Sequence, residues 1–379
     1  MEFIEKVKKY FLINISLIGI IGIVMVYSAS YIYAKEHFGS STYFVFKQLF
    51  FLILGIGAAF LISKTKMSFW YKNVYKFNAF LIFLLFLTFT PLGISIKGSQ
   101  RWLSIGGFGF QPGEFIKYST CLAAVYFFNS FSHYTNREKG IYSLQFFLPL
   151  LVLILQPDFG TFSITALLIG FACFVSDFPR KYFYSAFAVG SAAVIGLLFA
   201  APYRVKRLLV FLDPWSDPQN SGFQIIQSYL AFANGHIFGQ GIGNSNEKLF
   251  YLPEAHNDFI LSVIGEELGF VGIFIIVMLF LSFTFLGFKL ALLVKSKINK
   301  QIISCIVFAI SIQAFLNMGV VLGLLPTKGL NLPLISYGGS SLVSNFIAIG
   351  IVLSSLNQKS QIEDNEPIDP YFNQTALGL

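Results

Sequence analysis

The chain has 379 residues, of which 55% are hydrophobic and only 12% charged, with 46 Phe and a mean hydropathy of +0.71. A soluble domain this apolar would leave surface it could not shield from water, so the composition excludes an ordinary soluble protein and points to a bilayer as the solvent. The formal net charge of +8 does not indicate a nucleic-acid partner. The basic residues are scattered between apolar stretches, as orientation signals are.

A membrane helix needs roughly 20 predominantly apolar residues. Such stretches predict ten spans near 11–33, 44–62, 74–92, 113–131, 141–156, 159–177, 182–201, 258–288, 301–322 and 341–357. The first apolar run, from Phe11, lacks a small-residue cleavage site and reads as a span rather than a cleaved signal. Pro157 interrupts the fifth and sixth stretches, either as a kink or as a boundary. Cys121, Cys173 and Cys305 lie inside apolar runs, which fits buried structural thiols rather than a disulfide framework or a metal site.

Lys6, Lys8 and Lys9 precede the first span. Lys64, Lys66 and Lys72 follow the second, Arg137 and Lys139 the fourth, Arg180 and Lys181 the sixth, and Lys289, Lys295, Lys297 and Lys300 the eighth. If the spans alternate, all of these lie on one side, which the positive-inside rule makes the cytoplasm. The expected architecture is an all-α integral membrane protein of about ten helices with both termini cytoplasmic. Residues 1–357 form the membrane domain and 358–379 an acidic, disordered cytoplasmic tail.

Three polar segments then face outward: 93–112, 202–257 and 323–340. The second is long enough to be functional, and its pattern predicts an amphipathic helix around Gln224–Ala233 at the membrane interface. Pro326, Gly329 and Pro333 break an apolar run, as in a re-entrant segment lining a cavity. The glycines at 239–243 and 338–339 read as tight turns or close backbone approaches.

The outward cations are Lys97, Arg101, Lys117, Arg204, Lys206, Arg207, Lys248 and Lys328, set against Glu114, Asp158, Asp213, Asp217, Glu254 and Asp258. Positive charge on the outer side runs against the positive-inside trend and suggests an anionic ligand such as a pyrophosphate headgroup. Lys117 lies three residues beyond Glu114, on the same helix face, so the two can pair. Such a pair serves either a cavity or structure alone. Asp258, with Glu254 and His256 nearby, reads from the residues alone first as a helix cap, and Asp158 as a cap for the sixth span. Glu266 and Glu267, two turns further along, must face the interior. They serve there as a proton route or as hydrogen-bond partners of a broken helix.

Several stretches, taken together, resemble the shape, elongation, division and sporulation family of membrane glycosyltransferases. They are Gly98-Ser-Gln-Arg-Trp-Leu103, Gln111-Pro-Gly-Glu114 with Lys117, Gln156-Pro-Asp-Phe-Gly-Thr161, Asp213-Pro-Trp-Ser-Asp-Pro218, Gly222-Phe-Gln-Ile-Ile-Gln-Ser228 and Gly241-Ile-Gly-Asn-Ser245. Tyr251-Leu-Pro-Glu-Ala-His-Asn-Asp258, Gly265-Glu-Glu-Leu-Gly269 and Leu332-Pro-Leu-Ile-Ser-Tyr-Gly-Gly-Ser-Ser341 complete the set. Pro253-Glu-Ala-His256 and Pro326-Thr-Lys-Gly-Leu330 look like the division branch rather than the elongation branch. Gly113, His236 and Gly109 depart from the family pattern.

The resemblance implies a hexosyltransferase that polymerises lipid II into glycan strands outside the bacterial inner membrane, at the division septum. It also implies a class B penicillin-binding transpeptidase and other divisome membrane proteins as partners. The family's essential aspartate corresponds to Asp258. An inverting displacement needs only one base on the acceptor, and Asp258 would be that base. Arg101 and Lys117, with Arg204, would stabilise the undecaprenyl-pyrophosphate leaving group. Glu114, His256 and Glu254 complete the expected substrate site, and a divalent cation (Mg or Mn) is a possible cofactor. Two alternatives remain at this stage: a lipid II flippase using Glu266 and Glu267 as a proton route, and a non-catalytic divisome scaffold.

Overall fold

The computed structural model describes residues 2–96, 99–105, 108–185, 209–219, 222–245, 255–326 and 329–357, with 188, 190, 196 and 205. The expected helical membrane architecture is present. Helices α1 (Glu2–Phe38), α2 (Tyr43–Ser63) and α3 (Met67–Leu87) are followed by α4 (Pro112–Ser130), α5 (Asn136–Leu155) and α6 (Phe159–Val175). After the long outer segment come α7 (Phe223–Gly235), α8 (Ile260–Leu293), α9 (Lys297–Val321) and α10 (Gly339–Ser355). Among the described residues α1, α2, α5, α8 and α9 are long and apolar enough to cross a bilayer, and α6 and α10 are shorter apolar helices. The seventh expected span starts as helix at 180–185 and otherwise lies largely outside the described residues. The tail at 358–379 is outside them entirely.

Helices α4 and α9 form the interior. Almost every residue of α4 from Pro112 to Phe127 is buried, and α9 is buried along its length. Their polar residues therefore face protein rather than lipid, which is where a membrane protein can hold them. Helix α10 lies along α2 through small residues: Gly55 meets the Phe346 ring, and Gly350 meets the backbone of Ala59. Close backbone approach of this kind is how apolar helices associate where burial from water supplies no drive.

The contacts agree with the orientation read from the charges. Lys297 pairs with Asp177, Tyr71 bonds Asn299, and the Ser354 hydroxyl donates to the Thr65 carbonyl at 2.7 Å. All of these lie at the end assigned to the cytoplasm. Residues 99–105, 108–111, 156–158, 256–258 and 329–340 meet at the other end.

Four features differ from the expectation or decide between its alternatives. First, the outer segment after α3 forms a small antiparallel sheet in an otherwise helical protein: β1 (Gly93–Ile96), β2 (Ser99–Ile105) and β3 (Phe108–Phe110), in the order β1-β2-β3. Second, Pro157 separates two helices rather than kinking one. Third, the amphipathic helix exists, but its Ile225, Ile226, Ser228 and Ala231 are buried and it packs on α8. Gly235 and Gly265 let the two backbones touch, since a β-carbon at Gly235 would lie 1.9 Å from the Gly265 carbonyl oxygen.

Fourth, the eighth span is not one continuous helix. It breaks at Gly269, whose φ of 67° and ψ of −162° lie in a region reserved for glycine. The chain after α7 fills the break. Gln240 and Gly241 donate to the carbonyls of Glu266 and Glu267 at 2.9 and 3.0 Å, while Phe270 and Val271 donate to those of His236 and Ile237 at 3.0 and 3.1 Å. The backbone groups freed by the break are thus satisfied inside the protein, as the bilayer requires.

Gly269→Ala tests this arrangement. A β-carbon there would lie 2.4 Å from the Gly239 nitrogen, and a non-glycine residue at that φ costs on the order of 1–3 kcal/mol in strain before any clash is counted. The expected result is a clearly lower unfolding temperature in detergent. Gly57→Ala, where nothing lies within 4 Å of the added carbon, should be neutral or slightly stabilising.

Candidate active site

Asp258 lies just before α8, but it does not occupy the cap position expected from the residue pattern. The N-cap is Phe259, which offers no side-chain bond. The three residues before it are held instead by their carbonyls. The Tyr337 amide donates to His256 at 3.0 Å, the Ser336 hydroxyl to Asn257 at 2.7 Å, and the Asn317 side-chain amide to Asp258 at 2.8 Å. Asp258 is partly exposed. Its carboxylate faces Gly329, where a β-carbon would come within 3.3 Å of Oδ2.

Lys117 and Glu114 pair on one face of α4, as their spacing predicts. The ammonium donates to Glu114 Oε2 at 2.6 Å and to Gln313 Oε1 at 2.8 Å, and Lys117 is 2% exposed. Proline at the first position of α4 costs nothing, because that amide would have no partner in the helix; it starts the helix where the β-sheet ends.

Arg101, on β2, reaches the turn between α5 and α6. It donates to the carbonyls of Gln156 at 3.3 Å and Pro157 at 2.6 Å, and its guanidinium lies 3.9 Å from Asp158 Oδ1. Asp158 caps α6 as expected, accepting from the Thr161 amide at 3.2 Å and from its hydroxyl at 3.0 Å. Burial is the largest influence on the Asp158 carboxyl and pushes it above the usual carboxylate range, against the opposing pull of Arg101 and Thr161.

The loop 329–331 joins these groups. Gly329 faces Asp258 on one side, and on the other its carbonyl would lie 2.9 Å from a β-carbon at Gly160, two residues from Asp158. Asn331 accepts from Gln313, which in turn accepts from Lys117. Asp258, Glu114, Lys117 and Arg101 are therefore linked through one outer cluster. His256 adjoins it, with its ring packed 4.6 Å from Phe44, 5.7 Å from Tyr33 and 5.8 Å from Tyr337 between centroids. Arg204 and Glu254 lie outside the described residues.

Glu266 and Glu267 are fully buried at the break in α8. Glu266 accepts from Ser245 and from Asn234, and Glu267 from the Ser28 hydroxyl at 2.7 and 2.6 Å. They sit where the hydrogen-bonding role at a broken helix puts them. The motif reading passed over Gln313 and Asn317, which are uncharged, and quoted Ser336 within Leu332–Ser341 without giving it a role. The available signal was two amides four residues apart in the mostly apolar second half of α9. Among the described residues no three or more His, Cys, Asp or Glu gather as a metal site.

The cluster offers a carboxylate that can accept a proton and, across a short loop, fixed cations that can meet negative charge. Comparison with known proteins gives this geometry a context. Residues 8–361 match the cell cycle protein family of FtsW, RodA and SpoVE. A probable peptidoglycan glycosyltransferase FtsW of Geobacter sulfurreducens is 39% identical over 342 residues, 88% of this chain and 90% of that one. Stage V sporulation protein E of Bacillus subtilis is 37% identical over 344 residues, covering 88% and 92%. A chain of a solved peptidoglycan synthase complex, which coordinates polymerization and crosslinking, superposes with a TM-score of 0.75 at 27% identity over 94% of this chain and 98% of that chain.

The Asp158 environment gives a test with a definite sign. A carboxyl whose folded pKa exceeds its unfolded value contributes most to stability at acid pH, and that contribution is lost as pH rises through the folded value. Arg101→Ala removes a counter-charge and moves the folded value further up. Its deficit in unfolding temperature should therefore grow between about pH 4 and neutrality. A deficit flat across that range would mean Arg101 acts only through the Gln156 and Pro157 carbonyls.

Proposed function

The chain belongs to the FtsW, RodA and SpoVE family of cell cycle proteins, and from that membership we propose that it is a multi-pass membrane peptidoglycan glycosyltransferase whose acceptor base is Asp258. The substrate is lipid II, added to a growing glycan strand on the outer side of the inner membrane during septal synthesis. The observation that carries the reading is the placement of Asp258: the carbonyls of residues 256–258 are each held by a hydrogen bond, and its partly exposed side chain faces the loop at Gly329.

In an inverting displacement the Asp258 carboxylate takes the proton of the acceptor hydroxyl as that oxygen bonds to the anomeric carbon. The bond from that carbon to the undecaprenyl pyrophosphate breaks at the same time. One base is sufficient, because the leaving group departs as an anion and needs charge stabilisation rather than a proton. Arg101 is the cation best placed to give it: two of its five N–H groups serve the α5–α6 turn, and its side chain is partly exposed. Lys117 is buried and already bonded twice, so it acts as a fixed charge behind the loop, with Arg204 as a further candidate. A divalent cation, Mg or Mn, would share the task, with the pyrophosphate oxygens supplying most of its ligands.

His256 holds the segment through its ring contacts, and Glu114 fixes Lys117. Glu254 remains a candidate substrate contact. The partner in the wall-building complex is a class B penicillin-binding transpeptidase, at the septum with other divisome membrane proteins. The solved synthase complex supports that pairing of polymerization with crosslinking.

The test uses the protein purified with its transpeptidase partner and supplied with lipid II. Wild type should form glycan polymer, while Asp258→Ala and Asp258→Asn should not, with at least a 100-fold loss typical of a removed base. Asn can still accept hydrogen bonds but cannot take the proton. Polymer from all three would remove Asp258 from the chemistry. Movement of lipid II across vesicles without polymer from the wild type would replace the enzyme by a flippase.

A further inference from the structure

Gln313 and Asn317 lie four residues apart on α9, on one face and about 6 Å apart along the axis. Each is 1% exposed. Asn317 donates from Nδ2 to the Asp258 carbonyl at 2.8 Å and to the Leu330 carbonyl at 2.5 Å. Both partners only accept, so the amide orientation is fixed by chemistry. Its Oδ1 is left buried with no partner among the described residues. The site keeps an unsatisfied acceptor in order to hold two donors in place, which is unfavourable unless those donors matter.

Gln313 repeats the device one turn earlier. Its Oε1 accepts from Lys117 at 2.8 Å, so Nε2 must be the donor, and it reaches Asn331 O at 3.1 Å and Asn331 Oδ1 at 3.0 Å. The two amides therefore grip consecutive residues of the outer loop. One also holds the residue carrying the carboxylate, and the other the buried cation. We infer that Gln313 and Asn317 are positioning residues that use the loop 329–331 as a spacer, setting the distance between the Asp258 base and the Lys117 charge. Gly329 and Gly160 support the same spacing, because the loop passes between Asp258 and the start of α6 with no room for a β-carbon at Gly160. Neutral amides suit the task, since they fix geometry without adding charge to the cluster.

The inference rests on the polymerase reading, so the experiment separates the two. In the purified complex with lipid II, three quantities are measured for wild type, Asn317→Asp, Asn317→Gln and Gln313→Leu: kcat, the Kd for lipid II and the unfolding temperature. Asn317→Asp keeps size but loses both donors. Its kcat should fall about 100-fold, the effect of a misplacement near 1 Å, with Kd within about twofold because the cations stay in place. Asn317→Gln, which keeps the donors on a longer arm, should recover part of that loss. Gln313→Leu frees Lys117 from its second partner and should weaken lipid II binding as well as lower kcat. The inference is overturned if folded Asn317→Asp retains kcat within about threefold of wild type. It is also overturned if kcat and unfolding temperature fall and Kd rises together in both Asn317 variants, as a merely structural role predicts. No polymer from wild type would overturn the polymerase reading and this inference with it.

Discussion

The constraint on which the rest depends is the satisfaction of backbone polar groups where the chain is not helical. Residues 329–338 are irregular, yet Leu330, Leu332, Leu334, Ile335 and Ser336 are buried. A buried peptide group without a partner is costly, and within a bilayer no water relieves it. The helices supply the partners from their side chains. Gln48 on α2 donates to the Ser336 carbonyl at 3.2 Å, Asn317 to Leu330, and Gln313 to Asn331. The Ser336 hydroxyl both accepts from the Leu332 amide at 2.8 Å and donates to Asn257 at 2.7 Å. Satisfying the loop and fixing the segment before α8 are therefore one operation.

The same rule governs the break in α8. A continuous helix would have needed no outside partners. The break releases two carbonyls and two amides, and residues 236–241 answer all four. This ties the stretch just after α7 to the interior below Asp258. Ser245 on Glu266 and Ser28 on Glu267 add side-chain links from the outer segment and from α1. The two glutamates thus join three parts of the chain at the depth where the helix is interrupted.

Much of this was legible in the sequence, because membrane spans are long and lysines mark one side. The pairing of Glu114 with Lys117 followed from a three-residue spacing, and Asp158 as a cap from its place before an apolar run. The failures have physical causes. The break at Gly269 was hidden because residues on both sides are apolar and helical; only the partners at 236–241 make it affordable, and they are remote in sequence. The β-sheet at 93–110 was hidden because its strands are three to seven residues long. Gln313 and Asn317 carry no charge and no motif, so their role appears only when the loop they hold is seen. Asp258 was read from its residues first as a cap, whereas the N-cap position falls one residue later at Phe259, because sequence places a helix start only to within a residue or two.

The charges around the site divide into two groups with different tasks. Arg101, Asp158, Glu114 and Lys117 sum to zero formal charge, and the last two are buried against each other. Such a cluster has little long-range pull on an anion, because its fields largely cancel. It is suited instead to holding a fixed donor array that need not reorganise when charge develops. Attraction must come from elsewhere. Of the remaining outward residues, Lys97, Arg204, Lys206, Arg207, Lys248 and Lys328 are positive, against Asp213, Asp217, Glu254 and Asp258. By sequence all six fall in the outer segments 93–112, 202–257 and 323–340. On the proposed reading, the cations of the outer segments would draw in a pyrophosphate-bearing lipid, and the neutral inner cluster, spaced from Asp258 by the loop at 329–331, would align it for reaction.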